Sequence, residues 1–162
     1  MTGRNGIDLI AHLMRRAGFG ASYDELEKRS AKGYEATVEE LLSPESQEPV
    51  DLYDLYRYQP WTWKPGTIQG MGHATGLHQM INTQAPLQEK MTLFWHRVFA
   101  TGATKLIQAR PVSNQIEMFR EYGMGSFRDL LAELSKDPAM LMWLDNMDNH
   151  KDSINENYGR EI

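Results

Sequence analysis

Apolar residues recur at helical spacing along most of the chain, and no stretch alternates between apolar and polar positions as a β-strand does. The clearest pattern follows Pro86, where apolar residues repeat every three or four positions: Leu87, Met91, Phe94, Trp95 and Val98. We expect these side chains to form the buried stripe of a helix that Pro86 opens. The pattern predicts an all-α fold, an irregular array of seven or eight helices.

Capping signals divide this pattern into separate helices. Ser22 is followed three residues later by Glu25, which is a capping-box pattern, and Gly33 is placed to end the same helix. Ser126 precedes an apolar run, and Asp137 precedes a proline and another apolar run. These residues therefore predict helices that begin next to them.

The range 44–72 lacks this regularity, and we expect an irregular, aromatic-rich loop there with one helical turn near 51–58. Its aromatic residues are Tyr53, Tyr56, Tyr58, Trp61 and Trp63. Trp61 and Trp63 could stack on sugars, since flat rings with polar tips suit such ligands. The alternative, which we favour, is that the loop packs over the domain. Helical patterning resumes at His73.

Composition restricts the function classes. The 162 residues carry a net charge of −5, which argues against general nucleic-acid binding, and there is no cysteine to form a disulfide or a thiolate metal site. The longest apolar run, at 139–144, is far shorter than the roughly 20 residues that span a bilayer. The N-terminus has no signal-peptide core, so we expect a cytoplasmic protein, with export left open if the true start lies elsewhere.

The range 145–156 is dense in carboxylates and amides, which are the ligands of hard divalent cations. An EF-hand is rejected because Met147, His150 and Asp152 occupy positions that need an oxygen ligand, a glycine and an apolar residue. A looser site for a divalent metal remains, with these candidate ligands: Asp145, Asp148, Asp152, Glu156 and His150. We favour the alternative that Asp and Asn serve here as turn and cap residues.

His96 is a second candidate. At 100° per residue it points away from the Met91 direction, onto a narrow stripe that it shares with Glu89 and Leu93. If this stripe lines a cleft, Glu89 and His96 would form an acid–base or ligand pair. The alternative, a partly buried histidine bonded to a neighbouring segment, is favoured.

Three ordered blocks of the chain resemble a bacterial family. They are HLMRRAGFG at 12–20, LQEKMTLFWHRVFA at 87–100, and the segments DPAML, LDN and NENYGRE between 137 and 161. The chain is similar to the N-terminal portion of the domain of unknown function 1800. Family members run to several hundred residues, and the last block continues into a Leu-rich helix. The resemblance brings no established activity, substrate or cofactor.

The final helix has made barely two turns when the sequence stops, without a Gly, Asn or Pro to close it. With the resemblance, this predicts that 1–162 is a single helical region, truncated at its C-terminal end and part of a larger helical domain. The missing remainder would be its first partner. For function we favour a non-enzymatic binding or assembly module that takes a protein partner. The alternatives are part of a metal-assisted enzyme and a carbohydrate binder, and no reaction is specified.

Overall fold

The computed structural model describes residues 4–57, 65–102, 104–106 and 110–162. Within them it contains ten α-helices and no β-strand, so the all-α prediction is confirmed. The helices are α1 Arg4–Ala17, α2 Tyr23–Lys32, α3 Tyr34–Leu42, α4 Tyr53–Arg57, α5 Pro65–Asn82, α6 Pro86–Val98, α7 Arg110–Tyr122, α8 Phe127–Leu134, α9 Pro138–Trp143 and α10 Asn157–Glu161. Ten exceeds the expected seven or eight because α4 and α10, of five residues each, count as helices.

The capping residues act as the sequence predicts. Ser22 accepts a hydrogen bond from a first-turn N–H of α2 at 3.3 Å, and Ser126 does so for α8 at 3.4 Å. Asp137 accepts from the Met140 N–H at 3.2 Å and begins α9. Each bond satisfies a backbone donor that has no partner inside its own helix, which fixes where the helix starts.

Helix α5 begins at Pro65, eight residues before the expected start at His73. The predicted irregular loop over 44–72 is therefore wrong from residue 65 onward. Proline is favoured in the first turn of a helix, but Gly66, Gly70 and Gly72 follow it closely. Because each glycine disfavours a helix by about 1 kcal/mol relative to alanine, the sequence does not predict a helix in this segment. None of the helices in the described ranges has the length and apolar composition needed to cross a bilayer.

Two small cores organise the helices. The first lies among α1, α2 and α3 and contains the buried side chains of Ile10, Met14 and Leu41. The second lies among α6, α7, α8 and α9. Its buried members are Phe99, Phe119, Leu130, Leu134 and Met140. Burial of these apolar side chains supplies most of the stabilisation that short helices lack by themselves.

Helix α6 joins the two cores, since it packs on α1 and α3 on one side and on α7 on the other. The ammonium group of Lys90 donates to the carbonyl oxygens of Arg15 and Gly18, each at 2.7 Å, at the C-terminal end of α1. Those carbonyls are ones that the helix cannot satisfy internally, so Lys90 caps α1 from a neighbouring helix.

The predicted buried stripe of α6 is wrong in part. Phe94 and Val98 are 48% and 50% exposed, whereas Glu89 and Thr92 are buried. The physical reason is that Arg120 of α7 pairs with Glu89, so the polar side of α6 packs against α7. The apolar side consequently faces outward over its second half.

Candidate functional site

Glu89 is 3% exposed and paired with Arg120 of α7. Arg120 donates from Nε to one carboxylate oxygen at 2.5 Å and from Nη2 to the other at 3.0 Å. Its Nη1 also lies 2.5 Å from the carboxylate of Glu117. Burial by itself lowers the pKa of Arg120, but the hydrogen bonds to Glu89 and Glu117 outweigh burial and raise it. The guanidinium therefore stays charged, and the two-pronged pair ties α6 to α7.

His96 lies on the same face of α6 as Glu89 but two turns further along, about 10 Å away at 1.5 Å per residue. Its ring sits 6.4 Å from the ring of Phe119, and its buried Nδ1 has no hydrogen-bond partner among the described residues. Burial lowers the pKa of His96, so the neutral imidazole is favoured. Both oxygens of Glu89 are occupied by Arg120. The geometry therefore gives no support to an acid–base pair of Glu89 and His96, which stays a prediction.

The range 145–156, which we call the acidic loop, is held together largely by its own amides. Asn149 donates to the side-chain oxygen of Asn146 at 2.5 Å and accepts from the backbone N–H of Asn155 at 2.5 Å. His150 and Ser153 exchange two backbone hydrogen bonds of 3.1 and 3.0 Å, which makes a tight turn. These bonds match the interpretation of the loop as turns and caps.

The proposed metal ligands are dispersed around this loop. Asp145 forms an ion pair with Lys105, and Glu156 lies 3.6 Å from Arg160, while Asp148 and Asp152 are exposed. His150 places its Nδ1 3.0 Å from the Asp148 carbonyl oxygen. In the described part of the chain, no three His, Asp or Glu residues are grouped so that they could hold a metal ion. A divalent metal at this loop remains a prediction without support from the geometry.

The carbohydrate hypothesis depends on Trp61 and Trp63. Both residues, together with Tyr58, lie outside the described residues. Tyr53, at the start of α4, is 65% exposed, and Arg57 stands over its ring at 6.0 Å from the ring centre. The stacking of sugars on Trp61 and Trp63 accordingly stays a prediction.

An exposed apolar surface lies on α6, where the sequence pattern predicts a buried stripe. We call it the apolar ridge: Phe94, Trp95 and Val98 of α6 and Phe127 of α8. Phe94, Val98 and Phe127 are 48%, 50% and 55% exposed. Trp95 joins them, with its ring 4.9 Å from Phe94 in an edge-on contact and 5.7 Å from Phe127 in a stacked one. The periodicity did reveal these α6 residues, but it could not show which side of the helix would be covered.

Within the ridge, Trp95 is held by buried aromatic rings and by a hydrogen bond. The Trp95 ring stacks on buried Phe99 at 5.7 Å, and Phe99 in turn stacks on Phe119 at 6.2 Å. The indole Nε1 of Trp95 donates to the carbonyl oxygen of Gly123 at 2.7 Å. A Cβ atom at Gly123 would lie 2.3 Å from the Phe119 carbonyl oxygen and 2.8 Å from Trp95 Cδ1, so only glycine fits there. Trp95 is thus held in place within the ridge.

A cleft of about 680 Å³ lies at the other end of α6, between the α1–α2 connection and the α5–α6 junction. We call it the α1–α5 cleft. Its lining includes apolar side chains from α1, α5 and the first turn of α6, the ion pair of Glu25 and Arg29, and uncharged polar residues at the end of α5. Sequence reasoning did not find this cleft, because its walls come from segments about 60 residues apart.

In the part of the chain that the structure describes, the fold is an all-helical module that carries an outward apolar ridge and a cleft. The chain belongs to the family described as protein of unknown function (DUF1800), whose model matches residues 12–162. This confirms the resemblance found in the sequence blocks. No curated protein and no solved structure matches the chain.

Proposed function

We propose that this chain is a non-enzymatic binding and assembly module that docks a protein partner on the apolar ridge. The observation that carries the proposal is the exposure of Phe94, Val98 and Phe127, each about half open to solvent. Trp95 contacts both Phe94 and Phe127, and Val98 lies one helical turn from Phe94. Single exposed apolar residues are ordinary, whereas a contiguous set marks an interaction surface.

The ridge has the physical properties of an interface centre. Trp95 is held by its hydrogen bond to Gly123 and by stacking on Phe99 and Phe127. Because the Trp95 ring is already held in place, covering the ridge costs little side-chain conformational entropy at this residue. Aromatic side chains in such positions often supply most of the binding energy of an interface.

The partner in this proposal is a protein segment with an apolar face of its own. We include the expectation that this segment belongs to the same polypeptide, with a separate protein as the other source. The expected cytoplasmic location is also part of the proposal, and cell fractionation with an antibody against the chain tests it.

Site-specific photo-crosslinking in the native host tests the docking surface. A photoreactive phenylalanine analogue replaces Phe127, the first residue of α8 after the Ser126 cap. The matched control replaces Tyr23, which is the first residue of α2 after the Ser22 cap and is 63% exposed. We expect a discrete crosslinked product from position 127 only, and mass spectrometry of that product distinguishes the same polypeptide from a second protein.

The identified partner is then purified and its affinity is measured for two variants. We expect Phe94→Ala to weaken binding by about 2 kcal/mol, or about 30-fold, as is typical for a central aromatic contact. The control, Tyr23→Ala, should leave the affinity within about twofold. Equal crosslinking from positions 127 and 23, or an unchanged affinity of folded Phe94→Ala, would contradict the proposal.

A further inference from the structure

The α1–α5 cleft has the size of a site for a small molecule. Its volume of about 680 Å³ falls within the range of about 300–1,000 Å³ that is usual for ligand pockets. Met14, which is 1% exposed, lies at its base, and Pro86 forms part of its wall. The cleft is separate from the apolar ridge and does not depend on the function proposed above.

The mouth of the cleft carries large apolar side chains that the described chain leaves uncovered. Phe19, from the α1–α2 connection, is 46% exposed. Leu77 and Ile81 of α5, one helical turn apart, are 59% and 79% exposed. An aliphatic ligand in the cleft would remove these surfaces from water, which favours binding in proportion to the apolar area covered.

The charges that line the cleft are balanced. Arg29 donates to Glu25 from Nε and to Glu40 from Nη1, both at 2.9 Å, and Lys32 also binds Glu40. The hydrogen bond from Lys32, followed by the charge of Arg29, lowers the pKa of Glu40 against the effect of burial. Two cations therefore meet two carboxylates, and neither an anionic nor a cationic ligand finds an unpaired counter-charge in this network.

The remaining polar lining is uncharged. Asn82, Thr83 and Gln84 follow one another where α5 gives way to α6. The Thr83 hydroxyl accepts from the Ala85 N–H at 3.0 Å and keeps its own hydrogen for donation. The Gln84 amide, on an exposed residue, offers both a donor and an acceptor. These groups suit a hydroxyl or an amide.

We propose that the α1–α5 cleft binds a small amphipathic molecule with an aliphatic body and an uncharged hydrogen-bonding end, such as an alkyl alcohol or amide. The aliphatic body lies against Met14, Met80 and Ile81. The uncharged end lies at Thr83 and Gln84.

Three eight-carbon probes that differ only in their end group test this proposal: 1-octanol, octanoate and octylammonium, each below its aggregation concentration. Methionine methyl groups labelled with carbon-13 report binding by nuclear magnetic resonance, because Met14 and Met80 line the cleft whereas Met118 and Met140 belong to the second core, among α6, α7, α8 and α9. We expect saturable shifts of the Met14 and Met80 signals, with 1-octanol binding at least about tenfold more tightly than either ion. Equal affinities for the three probes, shifts spread over all methionines, or no shift would overturn the proposal.

A pair of substitutions locates the site independently. Ile81 in the cleft and Ile154 in the acidic loop are both 79% exposed, so glutamate at either position should leave the fold intact. We expect Ile81→Glu to weaken 1-octanol binding by at least about fivefold, because it replaces apolar wall by charge, and Ile154→Glu to leave it unchanged. Leu77→Gln provides a second wall variant if Ile81→Glu lowers the melting temperature. Unchanged binding in both folded wall variants would place the ligand elsewhere and overturn the assignment.

Discussion

Replacing Arg120 by methionine should be among the most damaging single substitutions in the C-terminal half of the chain. The change keeps an unbranched side chain of similar reach but leaves the Glu89 carboxylate, 3% exposed, without its cation. Breaking a buried ion pair from one side costs about 3–5 kcal/mol, because the remaining charge is neither solvated nor paired. For a chain of this size the melting temperature should fall by about 6–20 °C.

Removing the other partner of the pair, by Glu89→Leu, should lower the free energy of unfolding by less than Arg120→Met does. Arg120 would keep Glu117 as a partner, and its side chain is 15% exposed, so its charge can still reach water. The double variant Glu89→Leu/Arg120→Met removes both charges and replaces them with apolar groups. Because the desolvation of both ions is then avoided, we expect its free energy of unfolding to return to within about 1 kcal/mol of the unaltered chain.

Urea denaturation of the four proteins, followed by circular dichroism, gives the coupling free energy of the pair. The control is Glu117→Gln, which alters a 61% exposed partner of the same arginine and should change stability by no more than about 1 kcal/mol. If the two single effects simply add in the double variant, the pair does not act as a unit and the argument from burial is refuted.

Three further outcomes follow from single positions. Burial lowers the pKa of His96 below its ordinary 6.5, so below pH 6.5 the unfolded chain binds more protons than the folded chain. The free energy of unfolding should therefore decline as the pH falls through that value. His96→Leu should reduce this decline, as measured by urea titrations at several pH values. Gly123→Ala should destabilise by about 1–3 kcal/mol, measured by thermal unfolding, because its Cβ would meet the Phe119 carbonyl oxygen at 2.3 Å; a neutral effect would contradict the tight contact. Ser126→Ala should cost about 1 kcal/mol in the same assay by removing the α8 cap, whereas Ser126→Asp, which keeps an acceptor, should not.

Local signals in the sequence were sufficient for most helix boundaries. A cap such as Ser22 or Asp137 acts within three residues, so the chemistry that starts the helix is visible in the sequence. Pro86 opens α6 for the same reason. The sequence pattern places the start of α5 too late, because three early glycines lower the helix propensity of its first turns.

The exposed and buried sides of α6 could not be predicted, because they depend on residues far along the chain. Glu89 is buried because Arg120, 31 positions later, comes to lie beside it. With Glu89 turned inward, Phe94 and Val98 face outward and form the ridge. A periodic pattern shows that a helix is amphipathic, but it does not show which other helices will pack on it.

The two neighbouring residues Glu89 and Lys90 hold opposite sides of the molecule from one turn of α6. Glu89 is bound to α7, and Lys90 to the end of α1, so this turn cannot fray without releasing both cores. The two halves should therefore unfold cooperatively, in a single transition. Native-state hydrogen exchange tests this: amides of α1 and α7 should exchange with the same free energy of opening, and Lys90→Met should make α1 exchange first.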